Sequence, residues 1–423
     1  MRERWSHRNH PEAIIGRQAR LRRLPGWQPD SECVFDWAVD PTQLGRYQEC
    51  LTGQLVLPVG VLGPMDLEMG RYRTKPNGSV EEIERQRDSV FVPVAHTEGG
   101  LSASMLRGMQ ATAESGGIRT YLLDNQMTRD CAFVFTTADQ AVAFSRWVSA
   151  NQASLCTWVN DPDNALKDVP AGEVLAPLSS HALLLHIDTR IVGPVCHLLY
   201  RFHTGEACGP NMMTRNAFIL NREIVERSSL MGYHPLHIFL EANLGGDKKP
   251  SYEYYAGGHG KTVLATATIS HAVLHHRLHI TSEDLQELEW VGLHGAHVSG
   301  MQSFAFTPAS AIAAIFAATG QDLGMVGTSS MAHGVVKAVP DGVSFSLQLG
   351  GIEVGTVGGG TNLPHAKAYL KLMQCTGAGS AERLAQIIAG AALSLEVSAA
   401  ASMASRSSEN FFRAHLEHGG MRS

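Results

Sequence analysis

The sequence predicts an α+β protein: a large body of helices and sheet, interrupted by a small inserted domain, with a helical arm before it and a short tail after it. Three observations carry this prediction. Between 131 and 244 the pattern runs strand, helix, paired strands, helix, strand, the split β-α-β order of ferredoxin-like domains. On either side lie helices made of small residues, which let another backbone approach closely and so suit a buried body. With 423 residues, the chain is long enough to form two or three domains.

Residues 1–44 carry Pro11, Pro25, Pro29 and Pro41 and a short basic helix over Pro11 to Leu24, which together form an N-terminal arm. Leu55 to Met65 mixes β-branched residues with Pro-Val-Gly turn chemistry, a strand with a sharp turn. The strand SVFVPVA (89–95) leads through His96-Thr97-Glu98-Gly99-Gly100 into the small-residue helix LSASMLRGMQATAESGG. Thr97 or Ser102 is placed to cap that helix, and Glu98 then sits near the positive end of its dipole. Glu98 is open to two readings at this point, a cap interaction or chemistry.

Composition changes after Arg129. CAFVFTT is a strand, Ala138 to Val159 an amphipathic helix, and HALLLHIDTRIVGPVCHLLYRFHTG a hairpin. Ala207 to Ser229 is a helix, and HPLHIFLEANL closes the segment as a strand. This part leaves the body at Arg129 and returns at Glu241. The expected domains are therefore an arm (1–44), a large domain (45–130 with 241–405), an inserted domain (131–240) and a tail (406–423).

The body resumes with a strand (Lys261 to Ile269) and a His-rich helix, on which His271, His275 and His279 fall at i, i+4 and i+8. That spacing serves either a metal or an exposed helix face. No Glu or Cys completes an HExxH-like pattern, so an exposed face is expected and no metal. Residues 296–322 read as another small-residue helix ending Gly320-Gln321-Asp322, followed by strands at Val335–Val339 and Val343–Leu349. Gly355-Thr-Val-Gly-Gly-Gly-Thr-Asn-Leu-Pro364 then opens an Ala/Leu helix. With Thr361 or Asn362 as cap and Pro364 in the first turn, free N–H groups face a Gly-rich loop suited to a phosphate or a ligand amide. An Ala/Ser helix and a mobile-looking tail with two histidines, His415 and His418, end the chain.

Composition excludes several classes of function. Net charge is −6, and no basic block appears outside Arg17 to Arg23, which argues against nucleic acid as a partner. Seven cysteines, odd in number and without CxxC spacing, read as reduced thiols. The polar N-terminus lacks a signal-peptide core, and no apolar run approaches the ~20 residues of a membrane helix. A cytoplasmic protein without a membrane partner is expected. Only 17% of residues are charged, against a usual ~25%, and 42 are glycine, which suggests surface covered in a homodimer or higher homo-oligomer.

The chemistry gathers around Gly245-Gly246-Asp247-Lys248-Lys249-Pro250. Glycines permit a tight turn, and proline biases its predecessor away from helix, so a carboxylate and two ammonium groups are fixed on a loop. A lysine held there is a point charge able to stabilise an oxyanion or a ligand carboxylate. A charged surface turn is the plain alternative for such a tripeptide taken alone. Glu98, Lys248, Asp322 and His415 each lie beside glycine or small residues. Together they suit reduction of a carbonyl with loss of a leaving group.

The segments LPVGVLGP, PVAHTEGGLSAS, DNQMTRD, GEACGPNMM, DKKP, GQD, IEVGTVGGGTNLP and AHLEH resemble, in the same order, those of 3-hydroxy-3-methylglutaryl-CoA reductases across residues 57–418. The position of the inserted domain, just after Met127-Thr128-Arg129, is similar to the class with biosynthetic, mevalonate-forming members. The resemblance implies Glu98, Lys248 and His415 as catalytic groups and Asp322 as the support of Lys248. It implies Arg129, Asp247 and Lys249 as contacts of the acyl part. For a nicotinamide dinucleotide, NADPH or NADH, it implies Gly205, Glu206, Gly209, Asn211 and Met212, with Gly358 and Gly359 near coenzyme A and cofactor. In this chemistry Lys248 holds the oxyanion and His415 protonates the departing thiolate. Glu98, its proton affinity raised by burial, protonates the aldehyde in a second hydride transfer. Arg129 and Lys249 would pair with a substrate carboxylate. A site at a subunit boundary is also implied. The chain departs from the usual pattern at Glu206, Cys208 and Pro210, at 49–53, and at Trp290 and Ser310, where a Lys and an Asn are typical. Those last two bear on which acyl group is accepted. Arg215, on the helix after the dinucleotide segment, is open to contact with a 2′-phosphate or to an ordinary surface role.

Overall fold

The computed structural model describes residues 9–44, 47–74, 80–161, 164, 179, 181–405 and 408–418, leaving aside the side chains at 30, 71–74, 80, 83–84, 414–415 and 417–418. The chain divides into a unit from Met1 to Val59 and a second from Gly60 to Ser423. The first therefore runs past residue 44, where the arm was expected to end. Its helix α1 (Pro11–Leu21) starts at His10, whose ring accepts the Ala13 N–H. The buried Arg17 fixes this helix by donating from Nε and Nη2 to the Leu51 carbonyl at 2.9 and 2.7 Å.

In the second unit the order is β1 (Val59–Thr74), β2 (Val80–Ala95), α2 (Leu101–Glu114), β3 (Ile118–Val134), α3 (Ala138–Asn160), β4 (Leu183–Val192), β5 (Val195–His203), α4 (Pro210–Ser229) and β6 (His237–Phe239). Then follow α5 (Tyr252–Gly257), β7 (Gly260–Ser270), α6 (His271–Val273), α7 (Ser282–Ser299), α8 (Pro308–Thr319), α9 (Val326–Ser329), β8 (Ala332–Val339), β9 (Gly342–Ile352), α10 (Pro364–Leu372), α11 (Ser380–Ala404) and α12 (Glu409–His418). The main sheet runs β2-β1-β3-β7-β9-β8, with β1 and β3 parallel. β3 then passes into a second sheet, where it lies between β5 and β6 and β4 pairs with β5. That order, β4-β5-β3-β6, is the split β-α-β arrangement read from the sequence.

Two apolar cores match the two sheets. One gathers Met65, Val92, Met105, Ile118, Leu347 and most of α11; the other gathers Phe133, Phe144, Leu198, Phe202, Met213 and Leu220. α11 is long and apolar enough to cross a membrane by length and composition, contrary to the expectation that no run is. Yet 83% of its apolar window is buried inside the chain, so its apolar surface is spent on the core. Gly108 lets α2 lie directly on it: a Cβ there would come within 1.7 Å of the Ser394 carbonyl oxygen.

Several local expectations are corrected. β3 begins at Ile118, so the polar stretch DNQMTRD is strand; β7 and β5 pair with its two ends and satisfy its backbone. The closing strand over 234–244 shrinks to three residues. The His-rich helix is not regular: after α6 the turns widen to a π-helix over Leu274–Leu278, and His279 adopts a left-handed φ of 55°. The i, i+4, i+8 register therefore breaks, and His271, His275 and His279 are exposed. The helix expected over 296–322 is two, α7 and α8, split at the left-handed Gly300. The tail is helical at α12.

Candidate active site

The Asp-Lys-Lys loop is anchored from β3. The Thr128 hydroxyl donates to Gly245 O at 2.7 Å, and Leu244 N–H donates to Asp130 Oδ2 at 3.0 Å. Gly246 takes φ 75° and lies on the Tyr254 ring. Lys248 itself takes φ 55°, a left-handed conformation uncommon for a non-glycine residue. In that pose its Nζ meets Asp322 Oδ2 at 2.7 Å. Asp322 is fixed in turn, since its Oδ1 accepts the Gly324 N–H at 2.9 Å. The hydrogen bond to Asp322 is the main cause that raises the proton affinity of Lys248 above the ordinary lysine value; the charges of Asp322, Asp247 and Glu353 add to it, against some desolvation.

Arg129, near the inner end of the loop, is buried. Its Nη1 binds Glu241 Oε2 at 2.5 Å and its Nη2 binds Asp247 Oδ2 at 3.1 Å. Both Nη groups are thus committed to carboxylates, and in this conformation Arg129 clamps the loop where a substrate contact was expected. Lys249 stays half exposed, with Nζ 3.5 Å from Glu241 Oε1 and 3.2 Å from Asp247 O. Glu241, Thr128, His259 and Glu353, all around this loop, were not singled out from the sequence. Only Glu241 carried a signal, an acidic residue where the chain re-enters the body.

Glu98 is exposed, where a buried carboxyl was expected. Neither Thr97 nor Ser102 caps α2. Gly100, at φ 83°, is the N-cap, and the Ser102 hydroxyl instead meets His96 Nε2 at 2.7 Å. Among the described residues, no hydrogen bond or ion pair joins Glu98 to the Lys248–Asp322 pair. His415 lies in α12, and its side chain falls outside the described residues.

The two glycine segments meet. Glu206 O accepts the N–H groups of Thr356 and Val357 at 2.8 and 3.3 Å, and a Cβ on Gly355 would strike Cys208 N. The Glu206 carboxylate is spent on α11, whose start it caps by accepting Gly379 N–H at 2.6 Å, Ala381 N–H at 2.7 Å and the Ser380 hydroxyl at 3.0 Å. Gly209, at φ 88°, opens α4 with no side-chain cap, and Gly205 also has a positive φ. Asn211 is exposed, whereas Met212 is half-buried, its sulfur accepting from Ser179. Gly358 and Gly359 both have positive φ, are exposed, and have open space where a Cβ would stand. The expected cap at Thr361 or Asn362 is replaced by Leu363, with the Thr361 hydroxyl turned back to Gly358 O. Arg215 keeps a buried Nε with no hydrogen-bond partner. Burial pushes the thiols of Cys131, Cys196, Cys208 and Cys375 up to about 12, so these four are inert.

A loop-borne lysine paired with an aspartate, on an α+β body whose two glycine segments interlock, is the arrangement the site presents. A sequence profile described as Hydroxymethylglutaryl-coenzyme A reductase matches residues 13–420. The 3-hydroxy-3-methylglutaryl-coenzyme A reductase of Pyrococcus horikoshii is 32% identical over 389 residues, covering 90% of this chain and 85% of that protein. That of Aeropyrum pernix is 33% identical, covering 98% and 91%. A class II 3-hydroxy-3-methylglutaryl-CoA reductase of Streptococcus pneumoniae, solved bound to NADPH, shares the fold with TM-score 0.62 at 17% identity, over 93% of this chain and 97% of that one. The chain belongs to the hydroxymethylglutaryl-coenzyme A reductase family and is an oxidoreductase of that type.

Proposed function

We propose that the protein reduces 3-hydroxy-3-methylglutaryl-CoA to mevalonate in two steps, consuming two NAD(P)H and two protons and releasing coenzyme A. The observation that carries this reading is the Lys248–Asp322 pair at 2.7 Å on a left-handed loop residue. A protonated lysine in that place stabilises the oxyanion formed when the thioester carbonyl is reduced. The bound dinucleotide supplies the hydrides. Open space at Gly358 and Gly359 and the uncapped start of α4 fit such a group, since any Cβ would fill the cradle and free N–H groups favour phosphate. Arg215, on α4, is the cation that would meet the 2′-phosphate if the dinucleotide is NADPH.

Asp322 keeps the lysine charged beside Lys249. His415 protonates the thiolate as it leaves, and Glu98 delivers the proton to the aldehyde oxygen. The exposure of Glu98 supports a site completed by a second copy of the chain. So does the apolar surface of α7, where Trp290, Val291, Leu293 and Val298 are all more than half exposed. The reading places the enzyme in the cytoplasm as a homo-oligomer. NADPH and NADH oxidation measured with 3-hydroxy-3-methylglutaryl-CoA and a panel of other acyl-CoAs tests it. Trp290, 63% exposed on α7, favours one rival, the same chemistry on a different acyl group. Faster turnover of another thioester would establish that rival, and no turnover of any would leave a binding relative.

A further inference from the structure

Behind the catalytic loop, three polar side chains from three parts of the chain turn one atom each toward a common point. Asp247 Oδ1, His259 Nε2 and Glu353 Oε2 are buried without a hydrogen-bond partner, and the three residues' polar atoms lie within 4.8 Å of one another. The other end of each is committed. Asp247 Oδ2 is held by Arg129 at 3.1 Å. Glu353 Oε1 accepts from Thr328 at 2.5 Å and from Tyr254 at 3.0 Å. His259 Nδ1 lies 2.5 Å from Thr128 Oγ1, the hydroxyl that holds Gly245. His259 is 1% exposed, and its Nε2 comes within 3.2 Å of Glu353 Oε2 without the alignment of a hydrogen bond. Each such group left unpaired costs roughly 1–3 kcal/mol; the two carboxylate oxygens only accept, so His259 Nε2 is the one of the three that can donate to them, its Nδ1 accepting the Thr128 N–H at 3.2 Å.

We propose that His259 is a positioning residue for the Lys248 loop: its imidazole bridges Asp247 to Glu353 and so holds the left-handed turn that sets Lys248 against Asp322. The left-handed φ of Lys248 needs its surroundings to over-determine it. Arg129 secures one side of Asp247, and nothing else described secures the other. The backbone behind the imidazole is closely packed: a Cβ on Gly351 would come within 2.2 Å of the His259 carbonyl oxygen. The ionisable groups around His259 are Asp247 on the loop, Glu353 at the end of β9 and Tyr254 on α5, whose ring lies 5.3 Å away. Arg201 and Glu253 line the small cavity beside it. Beyond them, Arg129 acts through Asp247, and Lys248 feels both Asp247 and Glu353.

This proposal rests on Lys248 as the oxyanion group, so wild-type turnover and its loss in Lys248→Ala are established first; failure there overturns that reading and not this one. The test compares His259→Gln, whose amide reaches toward the carboxylates, with His259→Asn, whose amide reaches only Thr128. The expected result is a kcat within about threefold of wild type for Gln and reduced at least ~10-fold for Asn, because small misplacements of a catalytic group have effects of this order. KM for the dinucleotide should stay within about twofold in both. Glu353→Gln, which preserves shape, should lower kcat and make its alkaline fall begin at lower pH, because Lys248 loses a nearby negative charge. If a His259 variant does not fold, Glu353→Gln decides alone. Equal losses in Gln and Asn that track thermal stability would overturn the proposal, as would an unchanged kcat and pH profile in Glu353→Gln. A stoichiometric metal ion retained by the purified protein would also overturn it, since coordination would then replace the bridge.

Discussion

Lys248 works from a backbone conformation that lysine seldom adopts, and its charge is secured by one main partner. Lys248→Ala is expected to abolish nearly all turnover with the fold intact; one such donor is worth about 3 kcal/mol of barrier. Steady-state kinetics beside circular dichroism check this, and near-normal turnover would refute the role. Asp322 is the largest cause holding the Lys248 proton. A group with raised affinity loses its charge only as pH rises through the raised value. In Asp322→Asn the alkaline fall of kcat should therefore begin at lower pH than in wild type, and an unmoved limb would mean that another group controls it. At this scale the motifs were legible because Asp247, Lys248 and Lys249 are consecutive. Thr128, His259 and Glu353 were not, since residues so far apart meet only through strand register, and no local pattern announces it.

Among the elements, helix and strand types were read from periodicity, while several ends were misplaced. At the start of α2 a glycine with positive φ, Gly100, took the N-cap position where Thr97 or Ser102 was expected. The most informative case is α11, whose start is capped by a residue more than a hundred positions away. Because the Glu206 carboxylate satisfies two backbone N–H groups and a hydroxyl there, Glu206→Ala should lower stability by about 1–2 kcal/mol. The 355–357 segment should stay in place, because it is held by the Glu206 backbone carbonyl, which alanine keeps. Thermal unfolding beside dinucleotide titration separates the roles: a weakened KM with unchanged unfolding temperature would mean that Glu206 serves the cofactor alone.

For the whole molecule, the α+β class and the split β-α-β order were legible, because alternation and turn residues report them directly. The passage of β3 from one sheet into the other was not, since its middle is polar. Assembly is the remaining question at this scale. The exposed Glu98 and the apolar face of α7 lead to the expectation of at least a dimer with sites shared between chains. Co-expression of Lys248→Ala with His415→Gln should then restore activity, because a mixed dimer has one site with both lesions and one with neither. No recovery, with mixed dimers demonstrated by mass spectrometry, would put both residues on one chain.

The continuity of β3 also has a mechanical meaning. Its 17 residues are hydrogen-bonded to β7 near one end and to β5 near the other, with Thr128 and Arg129 close to the join. A strand laced on both sides is a torsion bar: it transmits twist and does not fold like a hinge. Twist between the two sheets therefore runs through Thr128 and Arg129, the residues whose side chains hold the Asp-Lys-Lys loop. Amide exchange reads this out. The β3 amides facing β7 and β5 should be among the slowest in the protein, and should stay slow when dinucleotide is added while the exposed 358–359 turn is quenched.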